Sequence, residues 1–556
     1  TTTCDKLIVI KNKGGVTVLY INKIIRSILF LSLCTFCLAS IVGESDAEPK
    51  YLKLVYPNEP STMDTQLNHS DYMVPYNIYD RLVEKITDPA TREPKVVEGL
   101  AESWSVSPDG KVYTFKLRKG AKFSDGSEVK ASDVVFSFDR NLNPATKSIQ
   151  TDGWDLVLGA RERLDGKAES TSGIKALDDY TVEITMTQVY PPFLEDIIAA
   201  PMAAVYSEKF VKSRGNKFGL SPEDTMGSGP FILTEWVVDN YHVMEANPNY
   251  WRGKPGIDKV RINVVSDAET ARLMFETGDI DIFDCDVARS QIPYFESSEK
   301  WKNRIVKSQR IGLYYYAMNT AMKPFDDVRV RRAFTMAVPR KELLDNVFFG
   351  KGVLPDNILP KGTEPYNPNP TRKIVYDPAG AKKLLEEAGY KDGVEIEISY
   401  SNQGASGRNW AAMAEIMQAM LPSAGFKVKI NQMDEASFID TRNSGNIMCY
   451  SQSWSTADPD AYFSKFFYSE RWSTYRSINT KDPKLDKMIM DARVEVDSAK
   501  RVQLYRELDD YVTHDVVAML PLFNMEHLFV LSDKVKDFVP NWKGWGDCML
   551  YWTTMN

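Results

Sequence analysis

The sequence is poor in the residues that build metal and nucleophile sites. Beyond residue 47 it has three cysteines and four histidines, with no Cys-x-x-Cys and no two histidines four residues apart. A structural zinc or metalloprotease centre is therefore not expected. A phosphate-cradling Gly-x-x-x-x-Gly-Lys-Ser/Thr loop and a nucleophile elbow are also missing. Loose Ser-x-x-Lys matches at Ser172 and Ser297 arise by chance in a long chain. We predict no enzyme: no catalytic residue, no metal ligand and no cofactor.

Basic clusters, repeats and long linkers are absent as well. Residues 1–47 hold five basic and three acidic side chains, so the remainder carries 63 basic and 73 acidic residues and a net charge of −10. This balance argues against nucleic acid and anionic membrane as partners. The 556 residues exceed what one hydrophobic core usually supports. Because the sequence has no Gly/Ser/Pro-rich linker, two or more hinged lobes are expected rather than independent domains on flexible linkers.

The first 47 residues predict export. Lys23 and Arg26 precede the apolar run 27–42, and small residues around Ala47 follow it. This is the layout of a secretory signal peptide, and the run is shorter than the roughly 20 apolar residues of a spanning helix. We expect cleavage near Ala47 and a periplasmic location. The three remaining cysteines allow at most one disulfide, and the sequence does not select the pair.

Hydrophobic periodicity predicts an α/β chain. Residues 51–56 and 112–118 alternate between apolar and polar side chains, which indicates half-buried strands. Residues 394–400 and 426–430 read as strands around a helix with apolar residues from Trp410 to Leu421, which is a βαβ unit. The methionines of that helix are interpreted as core. A last strand is expected at 518–523, after a helix that begins near Ser498.

A series of motifs carries a family resemblance. Their order and spacing are specific, although most have structural meanings such as turns, helix caps and close backbone packing. The motifs are Ala101–Gly110, Tyr113–Arg118, Phe123–Gly126, Ala131–Phe136, Gly227–Phe231, Asn247–Trp251, Gly278–Asp281, Asn319, Pro324–Arg332, Tyr376–Ala379 and Ala388–Tyr390. Over nearly the whole chain beyond residue 47, the sequence resembles the family 5 extracellular solute-binding proteins of peptide and nickel importers.

The resemblance implies a type II periplasmic binding protein fold of class α/β. Two lobes would be joined by a hinge, with an extra subdomain known as cluster C. Lobe I would comprise residues 48–81, 200–310 and 521–556, the extra subdomain residues 82–199, and lobe II residues 311–520. Ligand would lie in a cleft that closes by hinge motion.

The implied function is transport. A monomeric protein would capture a small polar solute, most readily a peptide or peptide-like molecule, and deliver it to an inner-membrane ABC permease with its ATPase subunits. An opine, a sugar-like solute and a metal or haem complex are alternative ligands within the same role. A periplasmic hydrolase is the remote alternative outside it.

The resemblance also nominates ligand-binding residues. In peptide-binding relatives a Trp-containing loop carries an Asp that pairs with the ligand's ammonium group, which matches Trp454 and Asp458. Ser451, Gln452 and Ser453 replace a basic residue of some relatives, and such a loop suits hydroxyl recognition. Arg408 is a candidate clamp for a carboxylate. The remaining cleft candidates are Asn68, His69, Trp154, Phe523 and Asn524.

Overall fold

The structure of the chain is a computed structural model that describes residues 9–12, 15–18, 49–68, 71–91, 93–149, 151, 153–285, 288–402, 404–469, 477–544 and 548–556. The apolar run of the expected signal peptide and its cleavage point near Ala47 lie outside these residues. Within the described part of the chain, no helix is long and apolar enough to cross a membrane.

Twenty-two strands are described, and all but the first two belong to residues 50–556. In chain order they are β1 (Val9–Asn12), β2 (Gly15–Val18), β3 (Tyr51–Tyr56), β4 (Val83–Thr87), β5 (Pro94–Glu98), β6 (Ala101–Val106), β7 (Val112–Leu117), β8 (Ile174–Asp178), β9 (Thr181–Thr185), β10 (Phe231–Val237), β11 (Tyr241–Ala246), β12 (Lys259–Val264), β13 (Ile282–Asp284), β14 (Ile305–Gln309), β15 (Leu313–Met318), β16 (Gly352–Val353), β17 (Val394–Ser401), β18 (Phe426–Met433), β19 (Cys449–Trp454), β20 (Met519–Leu531), β21 (Val535–Asp537) and β22 (Thr554–Met555).

The described α-helices all lie in residues 50–556. They are α1 (Met73–Ile78), α2 (Ala131–Leu142), α3 (Ala160–Leu164), α4 (Glu208–Arg214), α5 (Ala268–Thr277), α6 (Ile292–Ser297), α7 (Val328–Ala337), α8 (Arg340–Phe348), α9 (Pro378–Glu387), α10 (Gly404–Met420), α11 (Glu435–Asn443), α12 (Asp460–Phe467), α13 (Pro483–Val494) and α14 (Ser498–Tyr511). Strands β1 and β2 form an antiparallel hairpin by themselves.

Two four-stranded sheets occupy the first half of the chain. The first has the order β10-β11-β12-β3, in which β3 runs parallel to β12. The alternation predicted for 51–56 buries Leu52 and Leu54 in a hydrophobic core beneath this sheet. The second has the order β6-β7-β9-β8 and packs against α2. Its separate core draws on residues 82–205 and Met226.

The largest sheet is covered on both faces at strand β15. Its order is β13-β20-β15-β19-β17-β18, and β14 and β16 also pair with β20. All six residues of β15 are buried, which fits a strand covered on both sides. Tyr314, Tyr316 and Met318 pack into one core, whereas the alternate residues Leu313, Tyr315 and Ala317 pack into another.

Strand β20 is shared between two groups of strands. Its first half pairs with β15 through Met519–Phe523. Its second half pairs with β14 over Glu526–Val530 and with β13 up to Leu531. The sequence predicted a strand only over 518–523, so this prediction was too short. The extension is possible because Asn524 and His527 are polar but each has a hydrogen-bond partner inside the fold, as described below.

The predicted βαβ unit is confirmed. Strands β17 and β18 are parallel and in register from Val394↔Phe426 to Ser401↔Met433, with α10 between them in sequence. Met413 and Met417 lie in the core, as expected for the methionine-rich stripe. Cys285, Cys449 and Cys548 are buried in three different hydrophobic cores.

Candidate functional site

The carboxyl ends of three parallel strands meet at one edge of the large sheet. Strand β17 ends at Ser401 and β18 ends at Met433, its partner in the register. Strand β19 also runs parallel to β17, with Ile398 paired to Cys449. Ligands of α/β proteins commonly bind in crevices beyond the carboxyl ends of such strands. A ligand site is therefore expected at this edge.

A polar pocket lies at this edge. Its volume is about 160 Å³, roughly ten times the space that one water molecule requires. The lining residues are Ser401, Trp410, Glu435, Phe438, Ser451, Gln452 and Ser453. Strands β17 and β19 and helices α10 and α11 each contribute to the wall. The sequence-based candidate Ser453 is among these residues.

Helix α11 brings a carboxylate to the pocket. Asp434 caps the helix by accepting the Ser437 N–H at 3.0 Å, so Glu435 is the first helical residue. Ser401 donates its hydroxyl to Glu435 Oε2. The end of β17 and the start of α11 therefore hold each other beside the pocket.

The amide of Gln452 is fixed from behind. Arg442 Nη1 donates to Gln452 Oε1 at 2.8 Å, and the Tyr315 hydroxyl lies 3.5 Å from the same oxygen. Arg442 is only 4% exposed and also donates to Asn443 Oδ1 at 3.1 Å. Because both partners hold its oxygen, the Gln452 amide enters the pocket wall in a defined orientation.

Aromatic side chains support the other side of the pocket. Tyr314, which pairs with Ser453 across β15 and β19, has its ring centre 5.2 Å from Trp410 and 5.3 Å from Phe523. The predicted site residue Phe523 is therefore fully buried behind Tyr314. Trp410 was interpreted from sequence as core alone, and it is both core and pocket wall.

Trp454 follows Ser453 at the end of β19 and is half-buried. Its ring centre lies 5.7 Å from that of Phe466 in an edge-on arrangement, and Lys465 Nζ lies 4.9 Å from it. Successive strand residues point to opposite faces. Trp454 accordingly packs against the core that contains Phe466 and does not line the pocket.

Asp458 lies beyond the end of β19 and is 3% exposed. Its Oδ1 accepts the Asp460 N–H at 2.9 Å. Burial, followed by the nearby carboxyls of Asp196 and Asp460, raises the pKa of Asp458 well above its ordinary value. Asp196 belongs to the π-helix Phe193–Ile198. The residue therefore joins two distant parts of the chain.

Asn68 and Asn524 are engaged in holding the backbone. The Asn68 amide donates to Asp71 O, and the Tyr72 hydroxyl donates to Asn68 O at 2.6 Å. Asn524 Nδ2 donates to Gly312 O at 3.0 Å. These bonds stabilise a loop and the β20–β15 region, and neither side chain lines the pocket.

Of the remaining candidates, Trp154 has a described side chain, and it does not line the pocket. Trp154 is 2% exposed and packs against Phe138 with ring centres 4.8 Å apart, in the core of residues 82–205. His69 lies outside the described residues. Arg408 belongs to α10, but its side chain lies outside the described part of the chain.

Sequence reasoning did not single out Ser401, Glu435 or Phe438. A usable signal existed, because Ser401 directly follows the predicted strand 394–400 and Glu435 follows the predicted strand 426–430 by five residues. Polar residues at the carboxyl ends of parallel strands meet at one edge. Among the described residues, no group of three or more His, Cys, Asp or Glu side chains could hold a metal ion.

Comparisons with known proteins give the same picture as the sequence motifs. A family model described as bacterial extracellular solute-binding proteins, family 5 middle, matches residues 95–474. The dipeptide-binding protein of Escherichia coli is 32% identical over 485 residues, which cover 83% of this chain and 86% of that protein. Heme-binding protein A of Haemophilus influenzae is 28% identical over 83% of this chain and 84% of its own length.

A solved structure supports the fold. The periplasmic oligopeptide-binding protein of Borrelia burgdorferi superposes with a TM-score of 0.77 at 26% identity, covering 91% of this chain and all of that one. The predicted α/β type II periplasmic binding protein fold is confirmed by this match. The resemblance drawn from the sequence motifs is confirmed by the family model, and the chain belongs to family 5 of the bacterial extracellular solute-binding proteins.

Proposed function

We propose that the protein captures a small polar solute, a peptide or peptide-like molecule, and delivers it to an ABC importer. The observation that carries this proposal is the polar pocket at the carboxyl ends of β17 and β19 in a chain of this family. Hydroxyl, amide and carboxylate groups beside aromatic walls are what a small polar ligand requires. Relatives named for dipeptide, oligopeptide and haem binding show that the family accommodates different solutes.

The division into lobes follows the same proposal. Lobe I would comprise 48–81, 200–310 and 521–556, the extra subdomain 82–199, and lobe II 311–520. The separate core drawn from residues 82–205 supports the subdomain. The pairing of β20 with β13 and β14 on one half and β15 on the other supports a connection between lobes at this strand. Hinge closure of such lobes encloses ligand.

The pocket is one wall of the proposed cleft, and neighbouring residues complete it. Ser453 lies in the pocket, and Trp454 and Asp458 follow it in sequence. Arg408 precedes the pocket residue Trp410 by two positions in α10. We assign to Arg408 the carboxylate of the ligand and to Asp458 its ammonium group. Asp458→Asn should then weaken binding of a peptide with a free amino terminus and spare its N-acetylated form.

The proposed role includes export, a monomeric state, an inner-membrane permease with ATPase subunits as partner, and no enzymatic turnover. Mass spectrometry of the solute that co-purifies from the native host tests the central claim. We expect a peptide or another small polar molecule at one equivalent per chain. An opine, a sugar or a metal complex would change the ligand but not the role. Hydrolysis of the bound solute by the pure protein would overturn it.

A further inference from the structure

The pocket contains an anionic acceptor with unused capacity. Glu435 is half-buried, and its Oε2 accepts the Ser401 hydroxyl. Its Oε1 has no hydrogen-bond donor among the residues that the structure describes. Both oxygens of an ionised carboxylate accept hydrogen bonds. A donor supplied by a ligand would therefore complete the coordination of this carboxylate.

The serine hydroxyls of β19 are also unused. Ser451 is only 2% exposed, yet its hydroxyl forms no hydrogen bond with the described part of the chain. The Ser453 hydroxyl likewise forms none with these residues. Buried polar side chains are normally hydrogen-bonded. Two open hydroxyls in a pocket wall, one of them almost fully buried, are available to a ligand.

The described side chains that line the pocket carry charge of one sign. Among its seven described lining residues, Glu435 is the sole ionisable side chain. The guanidinium of Arg442 stands behind Gln452 and is engaged by Gln452 Oε1 and Asn443 Oδ1. A positive group in the pocket would gain a charge-assisted hydrogen bond with Glu435, whereas an anion would meet an uncompensated carboxylate.

The aromatic walls suit a long basic side chain. Trp410 and Phe438 are 5% and 2% exposed and present apolar surface to the pocket. Lysine and arginine bury their methylene stems along apolar surface while the charged end reaches a polar group. The same aromatic rings attract a cation placed over their faces.

We propose that Glu435 is a specificity-determining residue, which selects solutes with a lysine-like or arginine-like side chain in this pocket. The stem would lie against Trp410 and Phe438, and the terminal nitrogen would donate to Glu435 and to the hydroxyls of Ser451 and Ser453. This assignment rests on the proposed peptide-binding function and adds the chemical class of the side chain that the solute carries.

Calorimetric titration with four tripeptides tests the assignment. The peptides have alanine at both ends and lysine, arginine, norleucine or glutamate in the middle. We expect the lysine and arginine peptides to bind at least tenfold more tightly than the norleucine peptide, and the glutamate peptide to bind most weakly. Glu435→Gln keeps the acceptor for Ser401 and should abolish the preference for basic peptides, with little change for the norleucine peptide.

Glu395→Gln is the matched control. It removes the same charge from an exposed position on β17, the strand that ends at Ser401, and should retain the wild-type preference. Equal binding of the basic and norleucine peptides by the wild type would overturn the role of Glu435, and so would a preference that survives in Glu435→Gln. If no peptide bound, the proposed peptide ligand itself would fail, together with this assignment.

Discussion

Asp458 lies against Asp196, which comes from the π-helix Phe193–Ile198 in a distant part of the sequence. Burial and this second carboxyl raise the pKa of Asp458 well above its ordinary value. The surrounding charged and titratable groups are Asp460, Arg493, Tyr190 and Tyr505. Arg493 Nε lies 3.6 Å from Asp460 Oδ2 and the Tyr505 hydroxyl donates to Asp460 Oδ1 at 3.3 Å, so both engage Asp460.

This contact predicts a pH-dependent stability. The folded state binds the Asp458 proton more tightly than the unfolded state, whose pKa is about 3.9. This tighter proton binding adds to the free energy of unfolding. Its contribution is fully present below pH 3.9 and is lost as pH rises through the raised pKa of Asp458. Asp458→Asn should flatten the dependence of the free energy of unfolding on pH, measured by urea denaturation between pH 4 and 8. Asp392→Asn, at an exposed position, should leave the dependence as in the wild type; parallel curves for all three proteins would contradict the prediction.

His242 predicts a pH dependence of the opposite sense. It is 1% exposed in β11, and burial lowers the pKa of His242 to about 4 although Glu59 lies 3.5 Å away. The neutral ring is therefore favoured in the folded state, and stability present above pH 6.5 is lost as pH falls towards 4. The loss amounts to about 3 kcal/mol at most, from 1.36 kcal/mol per pKa unit. His242→Gln should remove it in urea titrations at pH 7, 5.5 and 4, and an unchanged acid slope would show that another group is responsible.

Trp454 is predicted to report ligand binding. It follows the pocket residue Ser453, is half-buried and does not itself line the pocket, so the prediction applies to a ligand that extends beyond the pocket past the end of β19. Trp454→Ala should weaken binding by about 2 kcal/mol or more if the indole acts as a hot spot. In the wild type, tryptophan emission and thermal stabilisation should follow one saturation curve, with roughly 2.7 kcal/mol of stabilisation at a ligand concentration a hundredfold above Kd. Trp104→Ala, at a half-buried position on β6, is the control. Unchanged affinity in Trp454→Ala would mean that this part of the proposed cleft is misplaced.

Gly227 is predicted to be intolerant of a side chain. A Cβ at this position would lie 1.9 Å from the carbonyl oxygen of Ile78 at the end of α1. Because the clash is with backbone, a strand or helix must move, and Gly227→Ala should lower the free energy of unfolding by roughly 2–5 kcal/mol, like other severe packing defects. Gly120→Ala has open space around it but a φ of +79°, so it should cost only about 1–2 kcal/mol. Similar thermal denaturation midpoints for the two variants would refute the argument.

The local rules of the sequence predicted much of the fold. Period-two alternation located β3 and β7. Two of the motifs hold the helix caps Asp327 and Asp377, which accept the Arg329 and Gly380 N–H groups at 2.8 and 2.9 Å. The second half of β20 was missed because its polar residues resemble a loop. His527 lies with Nε2 2.8 Å from Asp284 Oδ1, a partner that only the folded sheet supplies.

The candidate site was predicted only in part, because some of its contacts exist only in the folded sheet. Ser451–Ser453 were identified from the family resemblance as part of a loop, whereas the structure places them in strand β19. Glu435 meets Ser401 through the parallel register of β17 and β18, which follows from the predicted βαβ unit rather than from any pattern local to either residue. Trp410 was assigned to the core because helical spacing does not reveal that the start of a helix opens onto a pocket.

The position of β20 has a consequence for the order in which the chain acquires structure. This strand lies inside the large sheet, between β13 (282–284) and β15 (313–318), yet it comes from residues 519–531, far along the sequence from both neighbours. Until those residues emerge from the ribosome, β13 and β15 keep an open edge. Non-local strand pairing of this kind is intrinsically slow. The sheet therefore closes only after residues 519–531 have been synthesised, long after β13 and β15.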